Sequence, residues 1–156
     1  MFIFLSQKER NSMGNKFVAQ IEVNINAPAA KVWEALTNPL LIKQYFFGTE
    51  AVSDWQKGSS LHFKGTWEGK EYLDRGTILD IKPGKFLRYN YLSSFSGLED
   101  KIENYANITY SLLQESNFTK LVVTQDNIAT QDAKVHSEEN WKAVLKGLKK
   151  LVEEKL

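Results

Sequence analysis

Residues 17–39, FVAQIEVNINAPAAKVWEALTNP, change period halfway along, and that change decides the fold. From Phe17 to Asn26 the apolar residues Phe17, Ala19, Ile21, Val23 and Ile25 alternate with Val18, Gln20, Glu22 and Asn24, the pattern of a strand with one buried face. Asn26-Ala27-Pro28 ends it. Pro28 suits the first turn of a helix, and Val32, Trp33, Ala35 and Leu36 then form one apolar stripe that runs to Thr37. Asn38 is a good N-cap for a second short helix with Pro39 in its first position. Leu40, Leu41 and Tyr45 supply that helix's apolar side, and Gly48 stops it.

The period then returns to two. Leu61, Phe63, Gly65 and Trp67 alternate with His62, Lys64 and Thr66, and Glu68-Gly69 turns the chain into one return strand over residues 70–81. Lys82-Pro83-Gly84-Lys85 is the next turn. Residues 86–92 place Leu87, Tyr89 and Tyr91 on one face, with Phe86, Arg88 and Asn90 on the other, before Ser93 to Gly97 break the pattern. Two further strands follow, one over 103–113 carrying Ala106, Ile108, Tyr110 and Leu112, and one over 120–126 carrying Leu121, Val123 and Gln125. Finally Trp141, Val144, Leu145, Leu148, Leu151 and Val152 recur at helical spacing, with Lys and Glu opposite, and Ser137 as the expected N-cap. The order predicts an α+β domain: a curved antiparallel sheet of six or seven strands, two short helices after the first strand, and a long C-terminal helix packed across the sheet.

Composition narrows the function. The 156 residues carry 20 Lys and Arg against 19 Asp and Glu, a net charge of +1, so no one-signed field invites nucleic acid. The absence of cysteine excludes disulfides, thiolate metal sites and cysteine nucleophiles. His62 and His136 are far apart and without ligand-spaced carboxylates, and the glycines form no phosphate loop, so neither metal nor cofactor is expected. The opening Met-Phe-Ile-Phe-Leu is too short for a secretory segment, no run is long enough to span a membrane, and a cytoplasmic location is expected. Residues 1–15 read as a flexible leader and 16–156 as a single domain; packing of Phe2, Phe4 and Leu5 on a neighbouring surface is an open alternative.

The run Asn26-Ala27-Pro28-Ala29-Ala30-Lys31-Val32-Trp33-Glu34-Ala35-Leu36-Thr37-Asn38-Pro39 resembles the opening motif of the START-like, birch-pollen-allergen-like (SRPBCC) superfamily. Gly76 to Pro83 with Leu87 beyond, Thr119 to Gln125, and Trp141 ahead of Leu145 and Leu148 are further matches. Within the superfamily the chain is similar to the branch named after the activator of the heat-shock-protein-90 ATPase. The resemblance covers residues 17–155 and implies a helix-grip fold. The members' functions range over ligand carriers, cyclases, ring-hydroxylase subunits and co-chaperones, so it implies no single activity. Two departures stand out. Tyr45-Phe46-Phe47 replaces the tryptophans that often end the second helix, and Gln125 stands where members often place histidine.

These readings converge on a cavity between sheet and C-terminal helix. Its expected lining is Phe63, Trp67, Leu87, Tyr89, Tyr91, Ile108, Tyr110, Leu121, Val123 and Gln125, with Tyr45 and Phe47 at one rim and Trp141, Leu145 and Leu148 as roof. Apolar walls with a few phenols and one amide suit non-catalytic binding of a small hydrophobic or amphipathic ligand; the same residues can instead fill a solid core. If Glu68-Gly69 is a two-residue turn, Tyr72, Asp74, Gly76 and Ile78 share the face of Phe63, and otherwise Leu73, Arg75, Leu79 and Ile81 do; a solvated strand charge is the expected reading of Asp74, with a buried carboxylate as the alternative. Ser96 to Lys101 reads as a hairpin loop, with a lid over the cavity mouth as an alternative. A co-chaperone role with a chaperone partner is the first alternative. An enzyme of cyclase, dehydratase or hydrolase type, using tyrosines with Asp74 or Glu71, is the second. Oligomeric state is not readable.

Overall fold

The computed structural model describes residues 16–156; the leader expected over residues 1–15 lies outside them. The chain runs β1 (Phe17–Ile25), α1 (Ala29–Thr37), α2 (Pro39–Tyr45), β2 (Glu50–Ser53), β3 (Leu61–Trp67), β4 (Lys70–Asp74), β5 (Ile78–Lys82), β6 (Phe86–Tyr91), a 3-10 turn (Ile102–Asn104), β7 (Ala106–Gln114), β8 (Thr119–Ile128) and α3 (Gln131–Lys155). All pairing is antiparallel, in a five-stranded sheet ordered β1-β8-β7-β6-β5 and a three-stranded sheet ordered β2-β3-β4. This is the expected α+β helix-grip architecture.

Register explains how alternation becomes a core. Ile21, Val123, Tyr110 and Leu87 lie opposite one another across four strands, and Ala19, Gln125, Ile108 and Tyr89 form the next row. Against these rows the α3 stripe buries Trp141, Val144, Leu145, Leu148, Leu151 and Val152, while α1 adds Val32, Ala35 and Leu36. The outer edge of β1 is met by α3 side chains. Glu138 accepts from the Gln20 N–H at 3.2 Å, Glu153 from the Asn26 N–H at 2.7 Å, and Lys149 donates to the Asn24 carbonyl at 2.6 Å. The Asn26 N–H, and after it Lys149, hold the Glu153 carboxyl below its ordinary range.

The structure corrects four local expectations. The single return strand over 70–81 is two strands in different sheets, divided at Gly76. There the Gly76 carbonyl accepts from the Leu61 N–H at 2.9 Å, Thr77 and Asn90 bond in both directions, and a Cβ on Gly76 would overlap the Asn90 carbonyl. Alternation continues through this break, so periodicity hides it. Helix α3 starts ten residues before the Trp141 stripe: Thr130, whose hydroxyl accepts from the Ala133 N–H at 3.0 Å, is the N-cap, and Ser137 lies inside the helix. Residues 102–104 are a 3-10 turn rather than the start of β7, and β2 pairs with β3 although its four residues are too few to show a period. Leu40, expected on the apolar side of α2, is exposed, since only Ile42 of that helix is fully buried.

The crowding at Gly76 generates a test. Gly76→Ala, measured by urea unfolding, is expected to cost about 3 kcal/mol, because the methyl group meets backbone that cannot move aside. A loss below about 0.5 kcal/mol would show that the junction between the sheets is loose.

Candidate functional site

Five rings from five parts of the chain close a circle inside the fold. Phe46, at the end of α2, stacks on Phe63 of β3 at 5.9 Å and meets Trp141 of α3 edge-on at 6.1 Å. Trp141 reaches Tyr110 of β7 at 6.0 Å, Tyr110 reaches Tyr89 of β6 at 5.6 Å, and Tyr89 returns to Phe63 at 5.9 Å. Such tilted and edge-on contacts suit the quadrupoles of aromatic rings. Phe46, Phe63, Tyr89 and Tyr110 line a cavity with Leu36, Ile42, Tyr45, Trp55, Leu61 and Leu87. Its volume is about 10 Å³, room for one water at most. The interior is therefore close-packed as it stands.

Polar atoms inside the circle are few and specific. The Tyr89 and Tyr110 hydroxyls share one hydrogen bond of 2.9 Å, and the Tyr45 hydroxyl donates to the Ala35 carbonyl at 2.7 Å. Two hydroxyls sharing one bond retain a second proton that can be donated. The carbonyl oxygen of Gln125 accepts from the Trp141 indole at 2.9 Å and from the Ser137 hydroxyl at 3.2 Å, which clamps α3 to β8. Burial raises the ionisation of Tyr45, Tyr89, Tyr91 and Tyr110 well above the usual phenol range, with Tyr110 adding to the effect on Tyr45 and Tyr89 and the Asp74 charge to that on Tyr91.

The expected residues separate into three groups. Tyr45, Phe63, Leu87, Tyr89 and Tyr110 line the cavity. Tyr91, Ile108, Leu121, Val123, Gln125, Trp141, Leu145 and Leu148 belong to the same buried interior but not to the cavity wall. Trp67 and Phe47 are 43% and 40% exposed and touch each other edge-on at 6.3 Å, outside the enclosed space. Trp55 is outside the expected set, and Phe46 enters it only through the Tyr45-Phe46-Phe47 run. The middle ring of Tyr45-Phe46-Phe47 is the one α2 turns inward, and Trp55 follows β2 in a loop with φ of 55°, where no period can point to it.

Asp74 is the other correction. It is 1% exposed, and its carboxylate accepts from the Tyr91 hydroxyl, the Ser94 N–H at 2.9 Å and the Ser94 hydroxyl at 3.1 Å. The register that sets Asp74 opposite Phe63 turns it inward, so it anchors the chain leaving β6 rather than meeting solvent. Glu71, one position off that face, is exposed. Among the described residues no three His, Cys, Asp or Glu side chains converge as a metal site, and no helix is long and apolar enough to cross a membrane.

A long C-terminal helix closed into antiparallel sheets over an aromatic interior defines a START-like helix-grip domain. The chain belongs to the family described as activator of Hsp90 ATPase homolog 1-like proteins, whose profile matches residues 26–153. Among solved structures, ChR145 from Cytophaga hutchinsonii is 46% identical with a TM-score of 0.80, over 89% of this chain and 95% of that one. MLL2253 from Mesorhizobium loti is 19% identical with a TM-score of 0.75, over 90% and 99% of the two chains, and shares the fold. So does the Aha1 dimer from Colwellia psychrerythraea, 19% identical with a TM-score of 0.70, over 88% and 97%. No curated protein matches significantly.

Raised phenol ionisation sets the alkaline limit of stability. Below about pH 10 these tyrosines are neutral in both states; above it the unfolded chain releases protons the folded one keeps, so stability falls with rising pH by about 1.4 kcal/mol per unit for each group. Phenolate absorbance of Tyr45, Tyr89, Tyr91 and Tyr110 is expected to appear in one step with loss of helical circular dichroism. Ionisation of more than two of the six tyrosines while the helix signal is intact would contradict their burial.

Proposed function

We propose that this domain binds a small, largely apolar molecule within its aromatic circle and does not transform it. The observation that carries the reading is the Tyr89–Tyr110 hydroxyl pair, which has a donor to offer in the wall of a largely apolar cavity. Burial supplies affinity: about 200 Å² of ligand surface contributes on the order of 5 kcal/mol at about 25 cal/mol per Å², before the entropy of association subtracts several. Room for the ligand comes from displacement of Phe46. That ring sits just before Phe47 and Gly48, whose φ angles of 57° and 73° make a tight turn between α2 and β2. The three hydrogen bonds that Asp74 accepts favour an anchoring role for it over proton transfer.

The family supports a second reading. Its description names homologues of an Hsp90 ATPase activator, which makes an Hsp90-class chaperone a candidate partner. An unchanged ATPase rate of such a chaperone on adding the purified protein would count against it.

Titration with the neutral fluorophore N-phenyl-1-naphthylamine, beside native mass spectrometry of gently purified protein, tests the first reading. Saturable, blue-shifted fluorescence at one site per chain is expected. Phe46→Ala should strengthen dye binding while costing about 3–5 kcal/mol of stability. Tyr110→Ala should weaken it. Absence of dye binding together with a bare protein mass would overturn the reading.

A further inference from the structure

Helix α3 carries a polar group that the fold leaves unserved. The side-chain Nδ2 of Asn140 is buried and has no hydrogen-bond partner. A buried amide donor without an acceptor is a standing penalty to folding, and such groups are rare in native proteins. Its neighbours on the helix, Ser137 one turn before and Trp141 next to it, are both engaged with Gln125. The Gln125 oxygen thereby accepts two bonds, so an incoming group can be offered only that amide's N–H donors.

The place of Asn140 in the fold gives this donor a direction. Asn140 and Gly147 are seven residues apart, two turns along one flank of α3. At Gly147 that flank lies against Tyr45, whose Cβ would be 3.2 Å from a Cβ placed on the glycine. The connection from α2 then brings Phe46 against Trp141. Trp141 directly follows Asn140, so the ring whose displacement opens the cavity packs on the residue next to the unserved donor.

The chemistry on offer is one-sided. Asn140, which stands outside the cavity wall, has an unpartnered donor, the Tyr89–Tyr110 pair in the wall has a proton to give, and no residue lining the cavity is charged. The buried charge closest to the aromatic circle is the Asp74 carboxylate, bonded to Tyr91, whose ring packs on Phe63. A carboxylate ligand would lose its hydration without gaining a cation, and an amine would meet donors. We propose that Asn140 is the polar contact of the bound molecule, and that this molecule is an uncharged apolar compound bearing a carbonyl oxygen, such as a ketone or an ester. This rests on the cavity-binding reading and specifies its ligand class.

Displacement of N-phenyl-1-naphthylamine by chain-matched 2-undecanone, undecanoic acid and undecylamine tests it. The wild-type protein should prefer the ketone to the acid and the amine by about fivefold or more, the worth of one hydrogen bond. Asn140→Leu should weaken the ketone about fivefold, leave dye affinity within about twofold, and raise the thermal midpoint of ligand-free protein, because the unserved donor is gone. Asn140→Asp, which replaces the donor by acceptors, should turn the preference toward the amine. Unchanged ketone affinity in Asn140→Leu, a lowered midpoint for that variant, or a wild-type preference for the acid would overturn the assignment. Dye binding without discrimination among the three probes overturns this inference alone; no dye binding overturns the cavity reading with it.

Discussion

The indole N–H of Trp141 donates to the side-chain oxygen of Gln125, and much of the structure depends on that bond. Trp141 is 1% exposed, so its N–H has no recourse to water and must find an acceptor within the protein. Gln125 supplies one from a strand position where a hydrocarbon would otherwise suit the alternation of Leu121 and Val123. With Ser137 as second donor, the bond fixes both the height and the rotation of α3 over the five-stranded sheet. Once that angle is set, Leu145 and Leu148 face the sheet, the Gly147 flank meets α2, and the opposite flank carries Glu138, Lys149 and Glu153 to the edge of β1. A histidine in place of Gln125 could accept through one ring nitrogen, but its second nitrogen would need another partner.

The elements legible in the sequence were those whose period is long and undisturbed. β1, β3, β6, β7 and β8 each alternate over six residues or more, and the α3 stripe recurs over three turns, so burial alone selects their faces. Asn38 with Pro39 announced α2 through local chemistry, and the side chain of Asn38 does accept the Leu40 N–H at 3.0 Å. The features that escaped depend on partners distant in sequence. Gly76 divides a strand because Leu61 and Asn90 crowd it, and Asp74 turns inward because of its register with Phe63. The neighbours of Gly76 cannot be read from the residues beside it, whereas the facing of Asp74 depends on the length of the Glu68-Gly69 turn, and the pairing of Trp67 with Lys70 makes that turn two residues long.

The site followed the same rule. Phe63, Leu87, Tyr89 and Tyr110 face the cavity as strand alternation predicts, whereas Trp67, on the same alternation as Phe63, is exposed, because alternation gives a side chain's face and not what covers it. Phe46 completes the aromatic circle from a turn, where conformation rather than period aims the side chain. The replacement of tryptophan by Tyr45-Phe46-Phe47 thus has a structural reading. One ring of the three donates a hydroxyl to α1, one closes the circle, and one pairs with Trp67 at the surface.

The division at Gly76 also bears on how such a filled interior could change its volume. The cavity wall takes Leu61 and Phe63 from the three-stranded sheet, and Leu87, Tyr89 and Tyr110 from the five-stranded one. The two sheets are joined by the single bridges Ser60 to Thr77 and Arg75 to Leu92 and by the bonds around Gly76, not by a continuous ladder. Gly58 and Ser59 add two bonds to Ile78, so the junction is short but closely tied. The aromatic contacts of Phe63 with Tyr89 and Tyr91, and the bonds from Tyr91 and Ser94 to Asp74, tie the smaller sheet to the larger one where the ladders do not, so side chains rather than strand pairing set the spacing of the two cavity walls.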